Sequence, residues 1–236
     1  MENASGANTI ARSLKASLRS LLLRPHTIIF ARPFAFIAMV YGGTYLTANT
    51  LDTCVSTTNN LSATHVTSGA AKFSLSSAAN VGLCIYKDQA FVRMFGPPGV
   101  VPRAVPAASY ALFALRDCST IFASFNVPPM LGPWLDIRLS EEFKRKWISG
   151  ATLAQFVAPA MVQMASTPLH LLGLDLYNRP SGTNQGLVSN RERWLVIKSN
   201  LAVSVAARIC RIVPAFGIGG VVNTNMRRRL MTKLVE

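Results

Sequence analysis

Apolar and polar positions divide the chain into long uncharged stretches joined by short basic or proline-rich connections. Residues 33–51, PFAFIAMVYGGTYLTANTL, are nineteen positions without a charge. At about 1.5 Å of helical rise per residue, such a stretch nearly matches a bilayer core of about 30 Å. Residues 147–174 form a longer uncharged run, interrupted by Pro159 and Pro168. Neighbouring helices and side chains satisfy the carbonyls that such prolines free. Three further stretches carry few charges. Residues 69–86 have Lys72 near one end, where it is expected to snorkel; residues 106–127 have Arg116 and Asp117 in the middle; residues 199–226 have Arg208 and Arg211. The pattern predicts an all-α, multi-pass transmembrane helix bundle of about five to six spans.

Two stripes refine this picture. Ala70, Ser74, Ala78 and Gly82 recur every four residues, which predicts a face of small side chains where a neighbouring helix approaches closely. Near the start, Ile10, Leu14, Leu18 and Leu21 form one apolar helical face, with Arg12, Lys15 and Arg19 around it and no acid between Glu2 and Asp52. A basic, acid-poor amphipathic segment has the character of a mitochondrial targeting segment or of a helix lying on anionic lipid. The expected organisation is therefore a basic N-terminal segment, 1–32, and a transmembrane helical domain, 33–236. Residues 128–147 read as a connection with a short amphipathic surface helix between Trp134 and Trp147. Basic residues flank the spans on both sides, so charge asymmetry sets no orientation.

Composition supports a membrane over water. Half of the 236 residues are hydrophobic and only 14% are charged, against about 25% charged in an ordinary soluble domain. Mean hydropathy is +0.31, while the net charge is +14. A nucleic-acid binder of this charge would carry more lysine and fewer apolar runs, and membrane phosphates already supply a partner for basic clusters beside spans. Cys54, Cys84, Cys118 and Cys210 lie far apart without metal-ligand spacing and read as small buried hydrophobes. His26, His65 and His170 are isolated, and no phosphate-loop, dinucleotide, zincin or nucleophile-elbow string is present. The sequence thus predicts no catalytic constellation, no metal and no cofactor.

The C-terminal third, STPLHLLGLDLYNRPSG followed by ARICRIVPAFGIGGVVNTNMRRRLM, resembles one repeat of the mitochondrial carrier family. Pro168 matches the family's span-ending proline, and NTLDTCVS around Asp52 is similar to a second copy of that signature. The acidic and basic positions after Pro168 hold His170 and Gly173; in the second copy Asp52 keeps the acidic position, but Thr50 replaces the proline and Val55 the basic residue, so the family's salt-bridge ring cannot form as usual. SGAAKFSLSSAANVGL and FNVPPM are similar to parts of sideroflexins, five-span mitochondrial transporters. Either resemblance implies an integral protein of a mitochondrial membrane, the inner one for carriers, and a transport function.

The charges inside the apolar stretches are the candidate binding residues. Intramembrane ions cost about 2.5–3.5 kcal/mol each on insertion scales, so they face a cavity or pair with something. Arg116 and Asp117 point about 100° apart on a helix, whereas Arg208 and Arg211 share a face. Asp117 is expected to pair with an arginine of the last span, while Arg116 and the other arginine line a cavity for a small anionic metabolite. Three alternatives stay open: purely internal salt bridges, Arg208 and Arg211 lying near a membrane surface and snorkelling outward, and a carrier-derived scaffold or biogenesis factor that no longer transports.

Overall fold

The computed structural model describes residues 10–95, 105–178 and 189–235, and among them every regular element is helical. Two short helices, α1 (Ile10–Leu23) and α2 (Pro25–Ile29), precede α3 (Arg32–Thr58) and α4 (Ala70–Phe95). Next come α5 (Ala107–Ile121), a π segment (Phe122–Asn126) and α6 (Val127–Arg138), then the short α7 (Glu141–Lys146) and the long α8 (Gly150–Asn178). The chain closes with α9 (Asn190–Ile212), a second π segment (Val213–Ile218) and α10 (Gly219–Val235). The five apolar stretches of the sequence fall in α3, α4, α5 with its π segment, α8, and α9 to α10. Among the described residues one helical stretch, Asn190–Leu234, is long and apolar enough by length and composition to cross a membrane.

The expected connection at 128–147 is mostly helix. Pro128 and Pro129 stand in the first turn of α6, where missing N–H groups matter least to that helix. The surface helix shrinks to α7, capped by Ser140 and carrying Glu141 and Glu142 in its first turn and Lys144, Arg145 and Lys146 in its last. That order complements the helix dipole.

Contacts divide the chain into two units: Met1–Thr44 with Ala79–Ala104, and Tyr45–Ala78 with Val105–Glu236. In the first unit Asn80 donates to Thr44 Oγ1 at 3.1 Å, Thr44 in turn donates to the Val40 carbonyl at 2.7 Å, and Phe36 packs on Tyr86 and Phe91. In the second unit α8 is the hub, packing against α5, α6, α9 and both π segments.

The buried positions are unusually polar. Along α3 they recur every four residues as Val40, Thr44, Ala48, Asp52 and Ser56; along α4 Lys72, Ser76, Ser77 and Asn80 are buried. Meanwhile Leu46, Leu115, Ile137, Met161 and Val203 are exposed. A soluble domain shows the opposite arrangement. The same pattern corrects the small-residue stripe. Ala70, Ser74, Ala78 and Gly82 are all exposed, and no side chain comes within 4 Å of where a Cβ on Gly82 would stand. Two positions along a helix are about 200° around it, so burying Lys72 and Ser76 turns the stripe outward, and the close helix approach expected of it is not made within the described chain.

One close approach does occur where α6 meets α8. The Gly150 N–H donates to Asp136 Oδ1 at 2.6 Å, and a Cβ there would stand 2.6 Å from the Asp136 amide nitrogen and 2.8 Å from the Gly132 carbonyl. Backbone cannot swing aside as a side chain does. Gly150→Ala should therefore lower stability by about 1–3 kcal/mol, the usual cost of overpacking. Thermal unfolding in detergent checks this; an unchanged melting temperature would mean that α6 and α8 are not locked together here.

Candidate functional site

Proline sets up the site by removing backbone donors. Pro128 and Pro129 have no N–H, so the Ser124 carbonyl loses its partner in both α and π register. The Val127 N–H is already committed to the Phe122 carbonyl. In the second π segment Pro214 interrupts the ladder, and the Gly219 N–H is shared between the Pro214 and Phe216 carbonyls. Carbonyls freed inside a bundle must find side-chain donors. Gln155 of α8 supplies one amide to both breaks, donating to Ser124 O at 3.1 Å and Phe216 O at 2.7 Å. The Tyr45 hydroxyl donates to Ala215 O at 3.0 Å. Gly219 and Gly220 let α10 come this close: a Cβ would stand 3.1 Å from the Tyr45 oxygen at the first and 2.3 Å from Gln155 Nε2 at the second.

Between these groups lies a cavity of about 40 Å³, room for a few waters. It is lined by three charged side chains, Asp52, Lys72 and Arg227, together with the amides of Asn49, Gln155 and Asn223. Asp52 and Lys72 form a buried ion pair at 2.9 and 3.0 Å, with side chains 4% and 2% exposed. The connection between α3 and α4 closes round it: the Thr67 N–H donates to Asp52 Oδ1 at 2.9 Å, and Lys72 donates to the Thr67 carbonyl at 3.1 Å. Arg227 of α10 donates Nη1 to the His65 carbonyl at 3.1 Å and Nη2 to Thr53 Oγ1 at 3.4 Å. Its Nε is buried with no hydrogen-bond partner among the described residues. Asn49 and Asn223 bond each other reciprocally, at 2.7 and 3.1 Å. Tyr45 and Phe125, ring centroids 5.2 Å apart, supply an aromatic wall, with Phe216 packed on both.

The residues expected to bind an anion are distributed otherwise. Arg116 and Asp117 pair with each other, Nε and Nη2 donating to the carboxylate at 2.8 and 2.7 Å. Asp117 therefore does not pair with the last span, as expected from its direction on the helix: the long arginine side chain bends back to its neighbour. Arg116 Nη1 also lies 2.7 Å from His170 Nδ1 of α8. Arg208 is buried and donates to Gln163 Oε1 at 3.0 and 2.8 Å, whereas Arg211 is exposed. Arg116 and Arg208 thus meet the same helix, α8, at positions seven apart. Lys72 does not snorkel, because Asp52 holds it inside. None of the cysteines is in a disulfide and none is buried; Cys54 and Cys210 are exposed, while Cys84 and Cys118 are partly so. Asn49, Gln155, Asn223 and Arg227 were outside the expected set; the prolines at 128 and 129, which free the Ser124 carbonyl, were the signal for a donor such as Gln155, and the other three carried none.

No curated protein and no solved structure matches the chain. A family model does match it, over residues 1–231, and it is neither that of the mitochondrial carriers nor that of the sideroflexins. Both resemblances are thereby corrected. What had carried the carrier resemblance, a proline in a span followed by polar residues and a basic end, is common to proline-containing apolar helices with basic flanks. With nearly its whole length matched, the chain belongs to the family described as "Probable citrulline exporter".

Proposed function

We propose that this chain is a multi-pass membrane transporter that exports a small metabolite, citrulline in the first place, through the Asp52–Lys72–Arg227 cavity. The observation that carries the reading is a charged, amide-lined cavity buried among helices whose outward side chains are largely apolar. The helices have the required reach: α3, α4 and α8 hold 27, 26 and 29 residues, where about 20 suffice for a bilayer. Helices broken near a polar cavity are a recurring way to expose backbone groups to a transported solute. The ligand differs from the simple anion expected of clustered arginines. One carboxylate and two cations around amides suit a zwitterion with a polar, uncharged end, which is what citrulline is. No step of this reading needs an enzyme's chemistry or a nucleic acid. Membrane lipids are its natural partners.

The family description supplies the direction of transport and the name of the solute. Residence in a mitochondrial membrane is supported by the basic, acid-free α1 alone, whose exposed Leu18, Leu21 and Leu22 suit an anionic lipid surface equally well. A non-transporting scaffold is the second reading. It is favoured by the small size of the cavity, whose polar groups largely satisfy one another. Purified protein reconstituted into liposomes loaded with labelled citrulline separates the two. A transporter gives efflux that protein-free vesicles lack and that external unlabelled citrulline accelerates. Efflux no faster than from empty vesicles would leave the scaffold.

A further inference from the structure

The internal pairs of the cavity carry the same chemistry as one kind of ligand. Asp52 with Lys72 is a carboxylate with an ammonium, as in any α-amino acid zwitterion. Asn49 with Asn223 is a reciprocal amide pair. A ureido group or a primary amide presents the same carbonyl and N–H set, so it can take the place of one asparagine against the other. Arg227 is the group left over. It is 6% exposed. Nη1 is bonded, but its other edge, Nε with Nη2, holds only the 3.4 Å contact to Thr53, and Nε has no partner. A buried N–H left unmade is costly. The Nε–Nη2 edge is a two-donor fork that matches a carboxylate.

We infer that Arg227 receives the α-carboxylate of a neutral amino acid, that Asn49 and Asn223 read the carbonyl–NH₂ end of its side chain, and that the cavity thereby rejects amino acids with a cationic end. The inference rests on the transport reading above. Rejection follows from charge. The lining already holds two cations for one carboxylate, a net charge of +1, and a zwitterion with an uncharged side chain adds no net charge. An ammonium or guanidinium end adds a second uncompensated positive charge to a poorly screened site. It also offers donors only, leaving the asparagine N–H groups without an acceptor. Citrulline and glutamine match this chemistry; ornithine and arginine do not, although their aliphatic stems are similar.

Competition against labelled citrulline in proteoliposomes tests this, with glutamine, ornithine, arginine and citrulline methyl ester as competitors. For the unaltered protein, glutamine should compete, and ornithine, arginine and the ester should each be at least about tenfold weaker, the value of one charge-assisted hydrogen bond. Arg227→Lys keeps the charge and loses the fork. It should weaken citrulline about ten- to a hundredfold and remove the difference between citrulline and its ester. Asn223→Asp places a carboxylate where the ligand's end is read and should shift preference toward arginine. Variants are compared only where they elute as a single species from detergent. If the unaltered protein moves citrulline but arginine or the ester competes as well as citrulline does, the assignment is overturned while transport stands. That comparison needs no variant. If no member of the panel is moved, the transport reading falls, and this one falls with it.

Discussion

Asp52→Ala should destabilise the protein by about 3–5 kcal/mol, the cost of removing one partner from a buried ion pair. The two side chains are almost fully enclosed. Lys72 would keep only the Thr67 carbonyl as an acceptor, in a cavity that already contains Arg227. The Thr67 N–H would lose its acceptor as well. Lys72→Met should cost a similar amount for the mirror-image reason, an uncompensated carboxylate. The double variant Asp52→Asn with Lys72→Met should be closer to the unaltered protein than either single charge removal, because replacing a buried pair by groups of similar volume is often nearly neutral. Thermal unfolding in detergent of the unaltered protein, Asp52→Asn, Lys72→Met and the double variant gives the cycle. Independent, additive losses would show that the two charges are not coupled. The double variant should also fold yet fail to move citrulline, which separates the pair's part in stability from its part in binding.

Much of the helical layout was legible because uncharged stretches of bilayer length have few other ways to satisfy their backbone. The ends were less so. Charge was taken to end the second stretch at residue 86, but Lys87 and Asp88 pair with each other and α4 runs on to Phe95. The inward face was misread for a definite reason. Small residues were expected to mark helix contacts, whereas this chain buries its polar residues, so that Lys72, Ser76 and Asn80 at a spacing of four form the inner face of α4. Asp52 and Lys72 were each visible as charges in or beside apolar stretches. Their pairing was not, because the Thr67 backbone, which bonds both, fixes it from a connection with no periodicity. Arg227 was hidden at the head of an RRR run, where a basic end to a span looks the same whether its first residue turns inward or toward lipid headgroups. Asp117 was assigned a distant partner because a helical wheel gives directions but not side-chain reach.

Gln155→Leu should lower stability by about 1–3 kcal/mol for each carbonyl it orphans, with Ser124 bearing most of the loss. Leucine is close to glutamine in volume, so packing changes little and the missing donor is what the experiment reads. The Ser124 carbonyl has no helical N–H to fall back on: positions 128 and 129 are proline, and the Val127 N–H is committed to Phe122. The Phe216 carbonyl keeps a share of the Gly219 N–H and loses less. Gln155→Glu should do no better than leucine, since an ionised carboxylate offers no donor to two carbonyls. Gly220→Ala reaches the same amide from the opposite side. Its Cβ would stand 2.3 Å from Gln155 Nε2, so the amide must leave one carbonyl or both, and a loss of similar size is expected. Since Gln155 ties both broken helices to α8, either variant should also loosen the wall of the cavity and slow citrulline efflux in liposomes. Melting temperatures equal to that of the unaltered protein for both Gln155→Leu and Gly220→Ala would mean that water, not Gln155, satisfies the Ser124 carbonyl. The two π segments would then be held apart from α8 rather than fastened to it.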